Sequence, residues 1–417
     1  MSAARIDYLV SRFPQPSETF IVRELDALAS STPYTFGLRS LFPAHASAVH
    51  AIARKWVAQL RRPSAAEALL GLGWATARNP RVLASVIATV TWEYVAHPSR
   101  LARALVTVAL ACAHARELQR SKVAVHLHAH YATYPALAAW VCHRLLGVGY
   151  SFTAHAHDLY IDQSMLAIKI AEADFAVTIS EYNRRFLDRF APGAAVTVVH
   201  CGIDLDKYPF REREMPAEGP IRALCVAYLG EKKGHQVLFR ALAIGGPGVD
   251  RIQLDLIGSG PLRDCLGRLA EELGINDRIT FHGSRTETEV RDALAVADMF
   301  ILPSVIATDG QMEGLPVALM EALACGLPSV STALSGIPEI VIDGETGLLA
   351  IPGDAKSLRD AMESIIGDPS AAKQYARAGR KLVEQQFDLR TATAALSQLF
   401  EQHSTWGADP IEGPASG

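Results

Sequence analysis

Apolar and polar positions divide the chain into recognisable elements. Residues 5–10 (RIDYLV) form a strand-like run, and from Glu18 to Ala29 (ETFIVRELDALA) apolar positions recur at helical spacing after Pro16-Ser17. From about 50 to 120 the sequence is rich in Ala, Leu and Arg with helical periodicity, broken at Pro63, Asn79-Pro80 and Pro98, which predicts three or four helices. The period then changes. VAVHLHAH (123–130), YSFTAHAHDLY (150–160), FAVTIS (175–180) and AVTVVHCG (195–202) are short β-rich runs separated by helical stretches, the signature of βαβ alternation.

The stretch from Asp206 to Pro220 holds three prolines, dense charge and no apolar period, so it reads as a linker. Beyond it the alternation restarts. Strand-like IRALCVAYLG, IQLDLIGSG, RITFHGS, MFILPSV and PSVST are followed by helical patterns from about Gly234, Pro261, Glu287, Pro316 and Ala355. A further helical stretch runs from about Ala371 to Gln402. The expected organisation is an N-terminal α/β domain over 1–205 with a helical insert at about 50–120, a linker at 206–220 and a second α/β domain over 221–385. A C-terminal helix at 386–403, expected to pack back on the first domain, and a frayed tail at 404–417 complete it.

Length and charge narrow the function. At 417 residues two domains are expected. A net charge of −4 with a pI near 6.4 argues against a nucleic-acid binder. Charge is nevertheless uneven, because the window 54–122 carries eleven basic and three acidic residues. The six cysteines are scattered with no CxxC pair, no leader pattern opens the chain, and the apolar runs at 82–92 and 104–113 are too short to span a bilayer. A cytoplasmic protein is expected.

Four segments carry candidate chemistry. In MEGLPVALMEALA (312–324) Pro316 suits the first position of a helix, placing Glu313, Gly314 and Leu315 in the turn before it, where exposed amides form an anion site. Glu321 follows two turns into the helix; a charged cap plus a solvated glutamate is the plainer alternative. In AYLGEKKGHQVLFRAL (227–242) Lys233 precedes Gly234 at the carboxyl end of a strand, where a lysine reaches phosphates, although a solvated lysine pair fits as well. LDLIGSGPLRDCL (254–266) begins like a dinucleotide fingerprint but has Arg263 where the third glycine belongs, so its GxG, including Gly260, shapes a turn and a dehydrogenase is excluded. His126, His128 and His130 alternate along one strand, and His155 and His157 lie with Asp158 beyond another. Metal binding is thinkable there, but structural or substrate-binding histidines are the better reading, and no metal is assigned.

Together, Glu313-Gly-Leu-Pro through Glu321, Lys233-Gly234, LIGSGP (256–261), FHG (281–283), GIPEIV (336–341), DGETGLL (343–349) and CGIDLDKY (201–208) resemble the large retaining glycosyltransferase family marked by two glutamates separated by seven residues. RFPQPSETFIVREL (12–25), LHAHYA (127–132) and SFTAHAHDLY (151–160) are similar to its branch that builds bacterial exopolysaccharides such as colanic acid. The resemblance implies the GT-B fold, two Rossmann-like α/β domains facing across a cleft.

It also implies the roles of individual residues. Glu313 and His155 would be the catalytic pair beside the transferred sugar, with the amides of Gly314 and Leu315 joining Glu313. Glu321 would hold the ribose, Lys233 the diphosphate, and His282-Gly283 the base through the backbone; Gly260 would line the donor site. Where the family reads Gly-Arg-Leu this chain has Ala227-Tyr228-Leu229, so Tyr228 stands in place of the arginine that pairs with the donor phosphates.

The implied reaction moves a sugar from a UDP- or GDP-sugar to a glycan or polyprenyl-linked acceptor with retained configuration, without metal or other cofactor. It would take place in the cytoplasm; the basic, apolar stretch 54–122 fits contact with the anionic inner face of the plasma membrane, and apolar helix core with solvated arginines fits it equally well. A non-catalytic nucleotide-sugar-binding protein, motivated by Tyr228, and a nucleotide-sugar epimerase of the same fold are the alternatives.

Overall fold

Buried runs such as HLHAH and SFTA become strands with no solvent face, the pattern of a parallel sheet covered by helices on both sides. The computed structural model describes residues 4–15, 19–44, 51–121 and 123–404. Two units form. The first gathers residues up to Ile179, Arg184–Val199 and the described residues from Thr393 onward; the second comprises Ser180–Asn183 and His200–Ala392.

The first unit is built on seven parallel strands: β1 (Arg5–Phe13), β2 (Thr35–Pro43), β3 (Leu60–Arg61), β4 (Val125–His130), β5 (Tyr150–Ala154), β6 (Phe175–Thr178) and β7 (Val196–Val198). Their spatial order is β3-β2-β1-β4-β5-β6-β7. The order reverses direction between β1 and β4, and this switch point is where open α/β sheets place ligands. The predicted insert holds a one-turn helix, Arg54–Val57, and three long ones, Ala65–Arg78, Pro80–Tyr94 and Pro98–Ser121, the first of these long helices opened by a Ser64–Glu67 capping box.

The second unit repeats the winding with β8 (Ile221–Val226), β9 (Ile252–Ile257), β10 (Ile279–Gly283), β11 (Met299–Leu302), β12 (Ser329–Thr332) and β13 (Leu348–Ala350). All are parallel, in the order β10-β9-β8-β11-β12-β13, so the switch point falls between β8 and β11.

Several expectations are corrected. β2, β3 and β13 were not foreseen. The run at 150–160 is a strand only to Ala154, because Asp158 accepts the backbone N–H of His155 and the chain turns into a short helix, His157–Tyr160. Residues 206–220 are coil after a 3-10 turn but belong wholly to the second unit. Tyr208 and Met215 are buried there, and Arg213 donates to the carbonyls of Leu294 and Ala297 at the end of helix Glu287–Val296. The helical stretch at 371–402 is two helices, Pro369–Gln386 and Leu389–His403, interrupted where Ile203 exchanges backbone bonds with Phe387 and Leu389. Phe400, on the second of these, is buried in the first unit against His126, His128 and Phe175. Glu18 and the tail from 405 to 417 lie outside the described residues.

Candidate active site

At the switch point of the second sheet, β8 runs out through Ala227, Tyr228, Leu229 and Gly230 into a 3-10 turn, Glu231–Lys233, and then into helix His235–Ile244. Gly234, between turn and helix, has φ 70°, and a Cβ there would lie on the carbonyl oxygen of Pro303 just after β11. The amide of Val305 donates to the carbonyl of Lys232 at 2.9 Å. These two contacts lock the lysine turn to the neighbouring strand.

Glu313 reaches this turn from the loop before helix Val317–Ala324. It is 6% exposed, with Oε2 2.5 Å from Lys233 Nζ and Oε1 2.8 Å from Lys232 Nζ. Burial pushes its carboxyl up, but the two ammonium groups outweigh that and hold it at about 2. Two cations around one carboxylate leave a net positive charge. Pro316 is the N-cap in extended conformation rather than the first helical residue, since Leu319 N–H bonds its carbonyl. Among the described residues the amides of Gly314 and Leu315 have no hydrogen-bond partner. Two orphan donors beside two lysines make an anion site.

The other residues expected at the donor site also belong to the second unit. Tyr228 is largely exposed and packs over Gly230. A Cβ on Gly260 would lie 2.5 Å from the Leu229 carbonyl oxygen, so the GxG turn wraps closely on the segment leading to the lysines. Gly283, at φ 68°, accepts the amide of Gly258, and His282 pairs through Nε2 with Asp255 at 2.6 Å, leaving the backbone of this turn beside the GxG. Glu321, buried in its helix, accepts the Tyr208 hydroxyl at 2.7 Å. Lys232 and Tyr208 were not singled out from sequence; the signal was their place in the Lys-Lys-Gly and CGIDLDKY runs.

His155 belongs to the first unit, directly after β5, and is buried. Burial, then the neighbouring His130, pushes its pKa well below the ordinary imidazole range, so it is neutral. His126, His128 and His130 are all fully buried on β4. Glu24, His128 and His130 have donor atoms within 4.8 Å of one another, a set compatible with a metal ion. Both nitrogens of His128 are engaged by hydroxyls, Nδ1 with Ser151 at 2.8 Å and Nε2 with Thr153 at 3.0 Å. The side chain of His157 lies outside the described residues.

Residues 206–382 match the family model of group 1 glycosyl transferases, and residues 69–207 match that of glycosyltransferase family 4. The chain is 30% identical over 265 residues to the GDP-mannose-dependent alpha-(1-6)-phosphatidylinositol monomannoside mannosyltransferase of Mycobacterium tuberculosis, covering 60% of this chain and 68% of that protein. It is 33% identical over 233 residues to the amylovoran biosynthesis glycosyltransferase AmsK of Erwinia amylovora, covering 56% and 57%. For several such relatives the match spans little more than half of their length. Among solved structures, Anabaena HepE in complex with UDP superposes over 95% of this chain and 99% of that one, with a TM-score of 0.68 and 17% identity.

Proposed function

Since the chain belongs to the group 1, family 4 glycosyltransferases, we propose that it transfers a sugar from a UDP- or GDP-sugar to a glycan or polyprenyl-linked acceptor in cell-surface polysaccharide or glycolipid synthesis. The observation that carries this is the cluster of Glu313, Lys232, Lys233 and the orphan amides of Gly314 and Leu315 at the switch point of the second sheet. A nucleotide-sugar diphosphate carries two negative charges. On binding it takes the lysines and the amides, and Glu313 is released to accept sugar hydroxyls. Lys232 supplies the second cation that Tyr228 does not, so the family's missing arginine is replaced from the neighbouring turn.

The reaction proceeds with retention and without a metal. The acceptor oxygen attacks the anomeric carbon on the face from which the diphosphate leaves; the new carbon–oxygen bond forms as the sugar–phosphate bond breaks. The acceptor proton passes to a diphosphate oxygen. Growing charge on the leaving group is met by Lys232, Lys233 and the two amides, all in place beforehand. Neutral His155 lies beside the transferred sugar, Glu321 holds the ribose, and the turns at Gly260 and His282-Gly283 hold the base end.

One observation favours work at a membrane surface. Leu69, Leu70, Trp92, Val95 and Val106 project outward from the helical insert among its arginines, and Trp92 is 79% exposed. No helix among the described residues is long and apolar enough to cross a membrane. Apolar and cationic side chains on one insert suit peripheral contact with an anionic inner leaflet, where a polyprenyl-linked acceptor is presented.

Incubation with a panel of UDP- and GDP-sugars, with and without simple glycoside and polyprenyl-phosphate acceptors, tests the assignment. Acceptor-dependent release of nucleoside diphosphate, retained configuration by NMR and insensitivity to EDTA are expected. Binding without release would favour the non-catalytic reading, and a changed sugar still on its nucleotide would favour an epimerase.

A further inference from the structure

In the first unit, β3, the first turn of helix Ala65–Arg78 and the end of helix Pro98–Ser121 border a pocket of about 320 Å³. Arg61, Arg62, Arg116 and Arg120 line it, together with two carboxylates, Glu67 and Glu117. Four guanidiniums less two carboxylates leave a net charge of +2 around it.

Both carboxylates are already committed. Glu67 Oε2 accepts the backbone N–H and the hydroxyl of Ser64, each at 2.7 Å, within the capping box. Those bonds, and then the more distant charges of Arg116 and Arg61, hold its carboxyl below the usual range, so it stays ionised. Glu117 is shared, with Oε2 3.1 Å from Arg39 Nη1 and Oε1 3.5 Å from Arg61 Nε. Among the described residues the side chains of Arg62, Arg116 and Arg120 have no carboxylate within ion-pair distance and make no hydrogen bond. Arg116 is half-buried, so part of its hydration is lost with no adjoining counter-charge in return. An anion completes such a group of guanidiniums, and their planar forks match the oxygens of a phosphate.

What carries the phosphate follows from the helix that borders the pocket. Leu70 lies three residues beyond Glu67, which at 100° per residue puts it about 60° round the helix and nearly one turn farther along, and it is 56% exposed. A soluble anion gains nothing from a bare leucine at the rim. A phospholipid offers both halves, a charged headgroup to the arginines and acyl carbon to the leucine. We infer that this pocket is a headgroup site for an anionic phospholipid, with Arg62, Arg116 and Arg120 as the ligands of its phosphate. The inference rests on the proposed peripheral contact of the insert with membrane and gives that contact a definite anchor.

Flotation with vesicles of phosphatidylglycerol and phosphatidylcholine tests it. Arg62→Gln/Arg120→Gln, at two exposed positions where folding is spared, is set against Arg78→Gln/Arg81→Gln, which removes the same charge from exposed positions of the insert outside the pocket. The pocket variant should lose about tenfold in vesicle partitioning and the control about twofold or less. Arg116→Lys, which keeps the charge and gives up the planar fork, should lose about threefold. Equal losses in the two double variants would reduce the arginines to diffuse surface charge and overturn the pocket while leaving the membrane reading in place. Wild-type protein that fails to float with these anionic vesicles would remove both. Calorimetric titration with inorganic phosphate in the absence of vesicles separates the two sources of phosphate, and no heat beyond dilution is expected. Saturation by phosphate alone, lost in Arg62→Gln/Arg120→Gln, would assign the pocket to a soluble anion and overturn the lipid.

Discussion

The α-carbon of Gly234 faces the carbonyl oxygen of Pro303 with no room between them for a methyl group, at a φ of 70° that L-residues avoid. Gly234→Ala should therefore destabilise the second unit by about 2 kcal/mol or more, through backbone strain and the push of Cβ against Pro303. Because Gly234 closes the turn that aims both lysines, nucleotide affinity should fall as well. Denaturant unfolding followed with nucleotide titration checks both; an alanine variant of wild-type stability would contradict the packing described.

Lys232 carries a specific burden if it replaces the absent arginine. Lys232→Ala should reduce kcat about ten- to a hundredfold. Adding Tyr228→Arg to that variant should restore part of the loss, because the guanidinium returns a cation to the donor phosphates. Steady-state assay of the single and double variants decides it. No rescue would mean that Lys232 serves only to hold Glu313.

Stability at low pH follows from Glu313. Its folded carboxyl titrates at about 2 against an ordinary 4.5, so the unfolded chain takes up its proton first as pH falls. The contribution is complete above pH 4.5 and disappears as pH drops through 2. It amounts to about 3 kcal/mol, from 1.36 kcal/mol per unit. Urea unfolding of the protein and of Glu313→Gln should show a wide stability gap at pH 6 that narrows toward pH 2.5. A gap independent of pH would refute the pairing.

The proposed membrane contact would rest on a few outward side chains. Replacing Trp92 and Leu70 by Ser should leave folding intact, as both are exposed, and should lower cosedimentation with phosphatidylglycerol vesicles several-fold. Vesicles of phosphatidylcholine alone should retain little of either protein. Equal recovery from both vesicle types would remove the anionic-surface reading.

Asp7 and Arg39 show where legibility in the sequence ended. The strands of the second unit other than β13 announced themselves as apolar runs, and their alternation with helices is the observed topology. β2 did not, because its middle is occupied by an ion pair: Arg39 Nε lies 2.6 Å from Asp7 Oδ2, both are buried, and Gly37, opposite Asp7 in register, leaves space for the carboxylate. A glycine and an arginine inside a strand look like a loop when the partner that neutralises them is thirty residues away. The same blindness hid Arg213, whose charge suggested a linker although its guanidinium serves the carbonyls that end a helix. Glu313, Lys233 and Glu321 were legible because the segments holding them are continuous in sequence. Glu24 was not, since its link to His130 crosses more than a hundred residues.

Phe400 has a consequence for how the chain is made. The strand histidines that it covers are synthesised some 270 residues earlier, and the whole of 200–392 must leave the ribosome in between. The amino-terminal module is therefore released unfinished, with an aromatic-lined hollow awaiting its plug, while the following module can mature at once. Nascent chains halted anywhere before the last helix share that unsealed surface, the kind of surface that holding chaperones bind.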